Sequence, residues 1–157
     1  MAALTLAAYL RATTEVAYDN LVNDLNALDE GKASGTLHEA LRPAIKIVAE
    51  CASVNGLLAS LVATGTAAMP TPEQRDAYFA SITTREQALA ALKDGTEKFY
   101  SAIEAIAPDT WGDLLSTPLG PRTRAGAAGI AAMHMMYHDG QLNTAHLLSG
   151  DTEMHWK

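Results

Sequence analysis

The chain has 157 residues, enough for one domain with one substantial core and too few for two. Apolar residues make up 48% and charged residues 18%, a globular composition that excludes a disordered chain. The formal net charge of −7, with no Lys/Arg cluster to reverse it locally, opposes a phosphate backbone and excludes nucleic acid as an expected partner.

Four helical segments can be traced in chain order. The first runs from about Leu4 to Leu28. Leu10, Thr14, Ala17, Leu21, Leu25 and Leu28 recur at spacings of three and four, the mark of one buried face. It stops at the polar stretch DEGKASG. The second spans about His38 to Ala63, with Pro43 in its first turn, where a missing N–H costs least. The segment TGTAAMPTPEQ ends it. The third begins near Thr83, where Thr83 and Glu86 have capping-box spacing. Leu89, Leu92, Phe99, Ile103 and Ile106 mark its apolar face, and Gly95 interrupts it at a modest cost. The long connection APDTWGDLLSTPLGPRT leads to the fourth helix, from about Thr123 to Ser149, with Gly150 placed as its C-terminal cap. The tail DTEMHWK follows. No β-branched run alternates with period two, so no good strand is expected. Four amphipathic helices predict an all-α four-helix bundle, one domain over residues 1–157. A short first link predicts that the first two helices are antiparallel neighbours.

The N-terminal MAALTLAAYLR lacks a basic region ahead of its apolar run and reads as a poor signal peptide. No apolar run approaches the roughly 20 residues of a membrane span. The expectation is a soluble cytoplasmic protein. The single cysteine, Cys51, cannot form an internal disulfide and reads as a small buried hydrophobe rather than a nucleophile.

The chemistry-bearing residues lie at mid-helix. The fourth helix reads as a seam of Ala127, Ala131, His134, His138, Gln141, Ala145 and Leu148, apolar at its ends and polar in the middle. His134 and His138, at i and i+4, are close enough to hold one ion together. The second helix has the seam Ile47, Glu50, Val54, Leu57 and Leu61, in which Glu50 is the odd member. A carboxylate in such surroundings either becomes neutral or finds a partner. Facing bundle helices that supply ligands from the core can build a metal site. Two imidazoles and one carboxylate suit iron(II), nickel, zinc or manganese and leave room for water or substrate. The histidine pair is not H-E-x-x-H, because Met135 stands where a general-base glutamate would. Met133, Met135 and Met136 read as core and packing residues. Gly140 is kept inside the helix, where it could admit another helix or a ligand to the backbone. Tyr137 and Asp139 point to other faces, with surface or interface roles. His38 and His146 fall off the two seams and read as ordinary.

The segment MHMMYHDGQLNTAHLLSGDTEMHW resembles the last helix and tail of DinB-like proteins, the superfamily of bacillithiol transferases and related metal-dependent enzymes. The pattern H-x-x-x-H-x-G-Q-L, here His134, His138, Gly140, Gln141 and Leu142, is its most specific part. The ending GD-x-E-x-H-W, here Gly150, Asp151, Glu153, His155 and Trp156, resembles one uncharacterised branch. AIKIVAECASVN, residues 44 to 55, resembles the family's second helix. The resemblance implies a four-helix bundle, a homodimer, and a divalent metal held by three histidines. Two of these match His134 and His138; the third falls at Glu50, a departure from the pattern. Either Glu50 is a ligand or the site has lost its metal and Glu50 pairs with the histidines.

The leading expectation is a divalent-metal-dependent enzyme with a small-molecule substrate. Glu50, His134 and His138 hold the ion, and Asn55 and Gln141 orient ligands or substrate. The resemblance implies thiol-S-transfer from a low-molecular-weight thiol, or hydrolysis. The rival is a non-catalytic bundle that binds a small molecule or a partner helix, with Glu50 and the histidines as a hydrogen-bonding cluster. A third reading is a homodimeric bundle whose histidines are satisfied core residues. His155 and Trp156 read as a tail packed on the bundle through its Trp, the alternative being a tail that covers the pocket mouth or crosses to a partner chain.

Overall fold

The structure, a computed structural model, describes residues 4–117 and 120–156. Residues 1–3, part of the N-terminal stretch discussed above, lie outside the described residues. Helix α1 covers Leu6–Ala27, a one-turn α2 covers Glu30–Ser34, α3 covers Ala44–Thr64, α4 covers Pro72–Ser81, α5 covers Arg85–Glu104 and α6 covers Arg124–Leu148. The four long helices, α1, α3, α5 and α6, form the bundle.

The periodic residues of α1 behave as their spacing demands. Leu10, Thr14, Ala17, Leu21, Leu25 and Leu28 are all buried. Thr5 caps this helix by accepting from the Ala8 N–H. In α5 the capping box lies one residue later than Thr83 and Glu86. Thr84 accepts from the Gln87 N–H, and the Gln87 side chain accepts from the Thr84 N–H. The amide of Gln87 also accepts from Thr83, which is why both threonines carry the spacing.

Helix α3 starts at Ala44, so Pro43 is its N-cap residue and residues 35–43 are not helical. The link from α1 is therefore long. It carries α3 away from α1: α3 packs along α5 and α6, while α1 packs along α6 and α5. The first two long helices are thus diagonal in the bundle, not neighbours. Short α4 was not expected, because its proline-rich start reads as punctuation. Pro72 instead occupies the first turn of a helix capped by Thr71 and Gln74. It buries no residue of its own and is pinned to α3 by the Lys46 ammonium, which donates to the carbonyls of Phe79 and Ile82. Tyr78 also donates to the Ala49 carbonyl at 2.9 Å.

Between α5 and α6 a 3-10 turn at Pro108–Thr110 precedes a minimal antiparallel ribbon, β1 Leu114–Leu115 with β2 Arg122–Thr123. Two-residue strands leave no alternation to read. Arg124 anchors this connection, donating to the Val62 and Thr110 carbonyls.

Helix α3 is the one described helix long and apolar enough to cross a membrane, contrary to the expectation that no apolar run approaches that length. More than half of that stretch is buried inside the protein, including Ile45, Ile47, Val48 and Val62. Its apolar character is that of the central core helix.

Candidate metal centre

Helices α3 and α6 lie against each other at mid-length and bring Glu50, His134 and His138 together. The His134 and His138 Nε2 atoms are 3.2 Å apart. The Glu50 Oε1 atom lies 3.9 Å from the first and 3.7 Å from the second. These separations exceed a hydrogen bond between carboxylate and ring. They are close to the roughly 3.3 Å edge of a tetrahedron with metal–ligand bonds of about 2.0–2.1 Å.

Burial grades across the three. The His138 side chain is 4% exposed, His134 21% and Glu50 30%, so the group opens to solvent on the glutamate side. The other Glu50 oxygen is ion-paired with Arg42, eight residues upstream of it. That pairing leaves Oε1 turned to the rings.

Hydrogen bonding sets the His138 tautomer. Its Nδ1 is 2.9 Å from Gln141 Oε1, an atom that only accepts, so Nδ1 carries the proton. The Nε2 lone pair is thereby directed at His134 and Glu50. Burial, then the neighbouring His138, push the His134 imidazole down to about 4, so this ring is neutral at neutral pH. Two ring nitrogens and a carboxylate oxygen, all atoms that can ligate a cation, thus converge, and the buried His134 Nδ1 takes no hydrogen-bond partner of its own. The donor set fits a divalent ion on these grounds.

Cys51 was not expected here, yet its Sγ and the two histidine nitrogens all lie within 4.8 Å of one another. Adjacency to Glu50 gave no signal for this, since neighbouring residues of a helix do not share a face. Burial, and then the Glu50 charge, push the thiol up, so it is protonated rather than nucleophilic.

The remaining polar residues divide. Gln141 sits against His138 as expected, and its amide nitrogen donates to the Tyr137 hydroxyl at 3.4 Å. Asn55 turns elsewhere. Its amide donates to Thr96 of α5 at 3.0 Å and lies 3.4 Å from the Met135 sulfur, deep in the core. Its hydrogen bonds crosslink helices. Met135 is fully buried, but Met133 is 64% exposed and Met136 38%, so only one of the three methionines is core. Tyr137 is exposed, as expected.

Asp139 is a correction. It is fully buried against α1, not on an outer face. Burial first, then Asp24, push its carboxyl up to about 7, while Trp156 of the tail acts the other way. Asp24 is itself buried and accepts from the Asn143 amide at 2.9 Å. His146 is also buried, and it joins Asp151 and His155 in a second cluster that the helix seams did not flag. The Glu153 N–H and the two histidines hold the Asp151 carboxyl down to about 2.

A family model described as the DinB superfamily matches residues 7–142. Two solved structures of a mycothiol-dependent maleylpyruvate isomerase, one of them a histidine-to-alanine mutant, share the fold. Each has a TM-score of 0.68 over 88% of this chain, at 16% identity for one and 15% for the mutant. The chain spans 62% of the length of those proteins. Comparison with curated proteins gives no match. The family match covers all four bundle helices up to Leu142 and includes every residue of the centre built above, and the chain belongs to the DinB superfamily.

Proposed function

We propose that this protein is a metal-dependent enzyme acting on a small-molecule electrophile, by thiol-S-transfer from a low-molecular-weight thiol or by hydrolysis. Glu50, His134 and His138 hold one divalent ion, of nickel, zinc, iron(II) or manganese. The observation that carries this reading is the convergence of one carboxylate oxygen and two Nε2 atoms within 3.9 Å, with no hydrogen bond between carboxylate and ring.

A divalent ion at this position supplies Lewis-acid activation, which makes a water or a thiol nucleophilic at neutral pH. The chain's own residues prepare for it. Gln141 fixes the His138 ring so that Nε2 is unprotonated and turned to His134 and Glu50. Burial keeps His134 unprotonated. Arg42 orients Glu50 and offsets its charge, leaving Oε1 toward the rings. Substrate enters on the half-exposed glutamate side, since the opposite side is closed by the core. Thiol use is supported by the mycothiol dependence of the isomerase that shares the fold. The protein works in the cytoplasm as a homodimer, with the exposed apolar residues of α1 and α6 as the joining face.

Elemental mass spectrometry on untagged protein, purified without metal-affinity resin, tests the reading. Wild type should carry a metal population that is lost in both Glu50→Ala and His138→Ala. The reading fails if wild type takes up no metal at these residues after incubation with nickel, zinc, iron(II) or manganese.

A further inference from the structure

The tail motif GD-x-E-x-H-W has no part in the centre described above, yet the fold gives it a specific geometry. Helix α6 ends in a Schellman motif. Gly150, at φ 84°, donates to the Leu147 carbonyl at 3.1 Å, and the Asp151 N–H donates to the His146 carbonyl at 3.0 Å. The reversal places the Asp151 side chain back over His146. Asp151 Oδ1 then accepts from the Glu153 N–H at 3.0 Å, a second turn that returns His155 to the same point.

One carboxylate oxygen now meets two imidazoles. Asp151 Oδ2 is 3.1 Å from His146 Nδ1 and 2.9 Å from His155 Nε2. All three atoms lie within 4.8 Å of one another. The His146 Nε2 is 2.9 Å from the Asp24 carbonyl oxygen, which only accepts, so Nε2 carries a proton. His146 therefore turns Nδ1 to the same carboxylate oxygen that His155 Nε2 meets, so three metal-ligating atoms converge on one point. A backbone carbonyl that fixes a histidine tautomer in this way is the usual outer partner of a metal-ligating imidazole. The side chain of His146 is 3% exposed, that of His155 20% and that of Asp151 29%, so the cluster is rooted in the core and open on one side. That side faces a cavity of about 370 Å³ lined by Gly140, Asn143, Glu153 and Trp156 among others.

We propose that His146 Nδ1, Asp151 Oδ2 and His155 Nε2 form a second divalent-metal site, of the zinc class, that fastens the tail to the bundle. Two imidazoles and one carboxylate are a zinc-competent set, and water from the cavity completes the tetrahedron. The present separations are a few tenths of an ångström short of the roughly 3.3 Å edge that bonds of about 2.0–2.1 Å require. His155 lies on the tail and can move out by that amount. The site is two helical turns beyond His138, roughly 12 Å along the axis, so the two ions are independent. Through His146 and the Asp24 carbonyl, zinc here joins tail, α6 and α1.

The test is a zinc titration against a chromogenic chelator in Glu50→Ala/His134→Ala protein, which removes two ligands of the first centre at its solvent edge. One zinc per chain should remain. Adding His155→Ala or the near-isosteric Asp151→Asn should weaken that zinc by about a hundredfold or more. Circular dichroism of the metal-free variants checks that each is folded. If the background variant is unfolded, the same titration in wild type should fall by one zinc per chain on His155→Ala. Absence of zinc in the folded background, or zinc unaffected by His155→Ala and Asp151→Asn, overturns the proposal and leaves an ion-paired tail. Failure of the first centre would show instead as a wild type that loses nothing on Glu50→Ala.

Discussion

Asp139 is buried between α6 and α1 facing Asp24, and burial first, then that proximity, makes its carboxyl hold its proton. The folded protein keeps Asp139 protonated up to about 7, whereas an ordinary aspartate, at 3.8, has ionised. Between those values the folded state binds more protons than the unfolded one, so this group's contribution to stability falls as pH rises. Asp139→Asn removes the ionisation. Chemical denaturation should show the variant gaining on wild type at pH 8, by on the order of 1 kcal/mol or more, and changing little at pH 5. An equal difference at both pH values would mean that Asp139 is not the titrating group. Burial decides these roles, and burial is poorly legible along one helix. His134, His138 and Asp139 are close in sequence, yet Asp139 faces α1 while the histidines face α3.

Helices α3 and α5 approach closely because Gly95 has no side chain. A Cβ there would stand 2.3 Å from the Ala52 carbonyl oxygen and 3.1 Å from its carbon. These are backbone atoms and cannot swing aside. Gly95→Ala should therefore destabilise by about 1–3 kcal/mol, the range for overpacking, where helix propensity alone would predict a gain. Thermal unfolding gives the sign directly. Read from the sequence, Gly95 is a weak point in a helix; in the bundle it is the contact. Gly140 shows the opposite. A Cβ there meets nothing within 4 Å, so no helix approaches it, although it lines the cavity beside the tail. Spacing alone cannot separate two such glycines, since both sit in helices with intact apolar faces.

At the scale of the whole molecule, apolar surface remains on α1 and α6. Val16 is 60% exposed, Met133 64% and Tyr137 66%. Covering this surface is the role proposed for a second copy. Light scattering after gel filtration should give twice the chain mass, and Met133→Glu or Val16→Glu should shift it toward the monomer. A monomeric wild type at micromolar concentration would sink the homodimer. The same two helices, with the tail, carry the second cluster, so tail docking and assembly share a framework.

The sequence by itself determined the four long helices, the residues that face inward on α1 and α5, and the placing of His134 and His138 on one face of α6; that Glu50 reaches them is tertiary. Periodicity near 3.6 and i, i+4 spacing are local properties, and local properties survive without a partner. Tertiary structure decided which helices are neighbours, because the 28–43 link is long enough to pass α3 across the bundle. It also decided that Cys51 stands beside the histidines, that Asn55 crosslinks to Thr96, and that the tail returns to His146. Each of these joins residues far apart in sequence, or turns one side chain of a helix toward a neighbour whose position the chain alone does not specify. The physical reason is that burial and hydrogen-bond partners belong to the packed molecule, whereas helical period belongs to the chain.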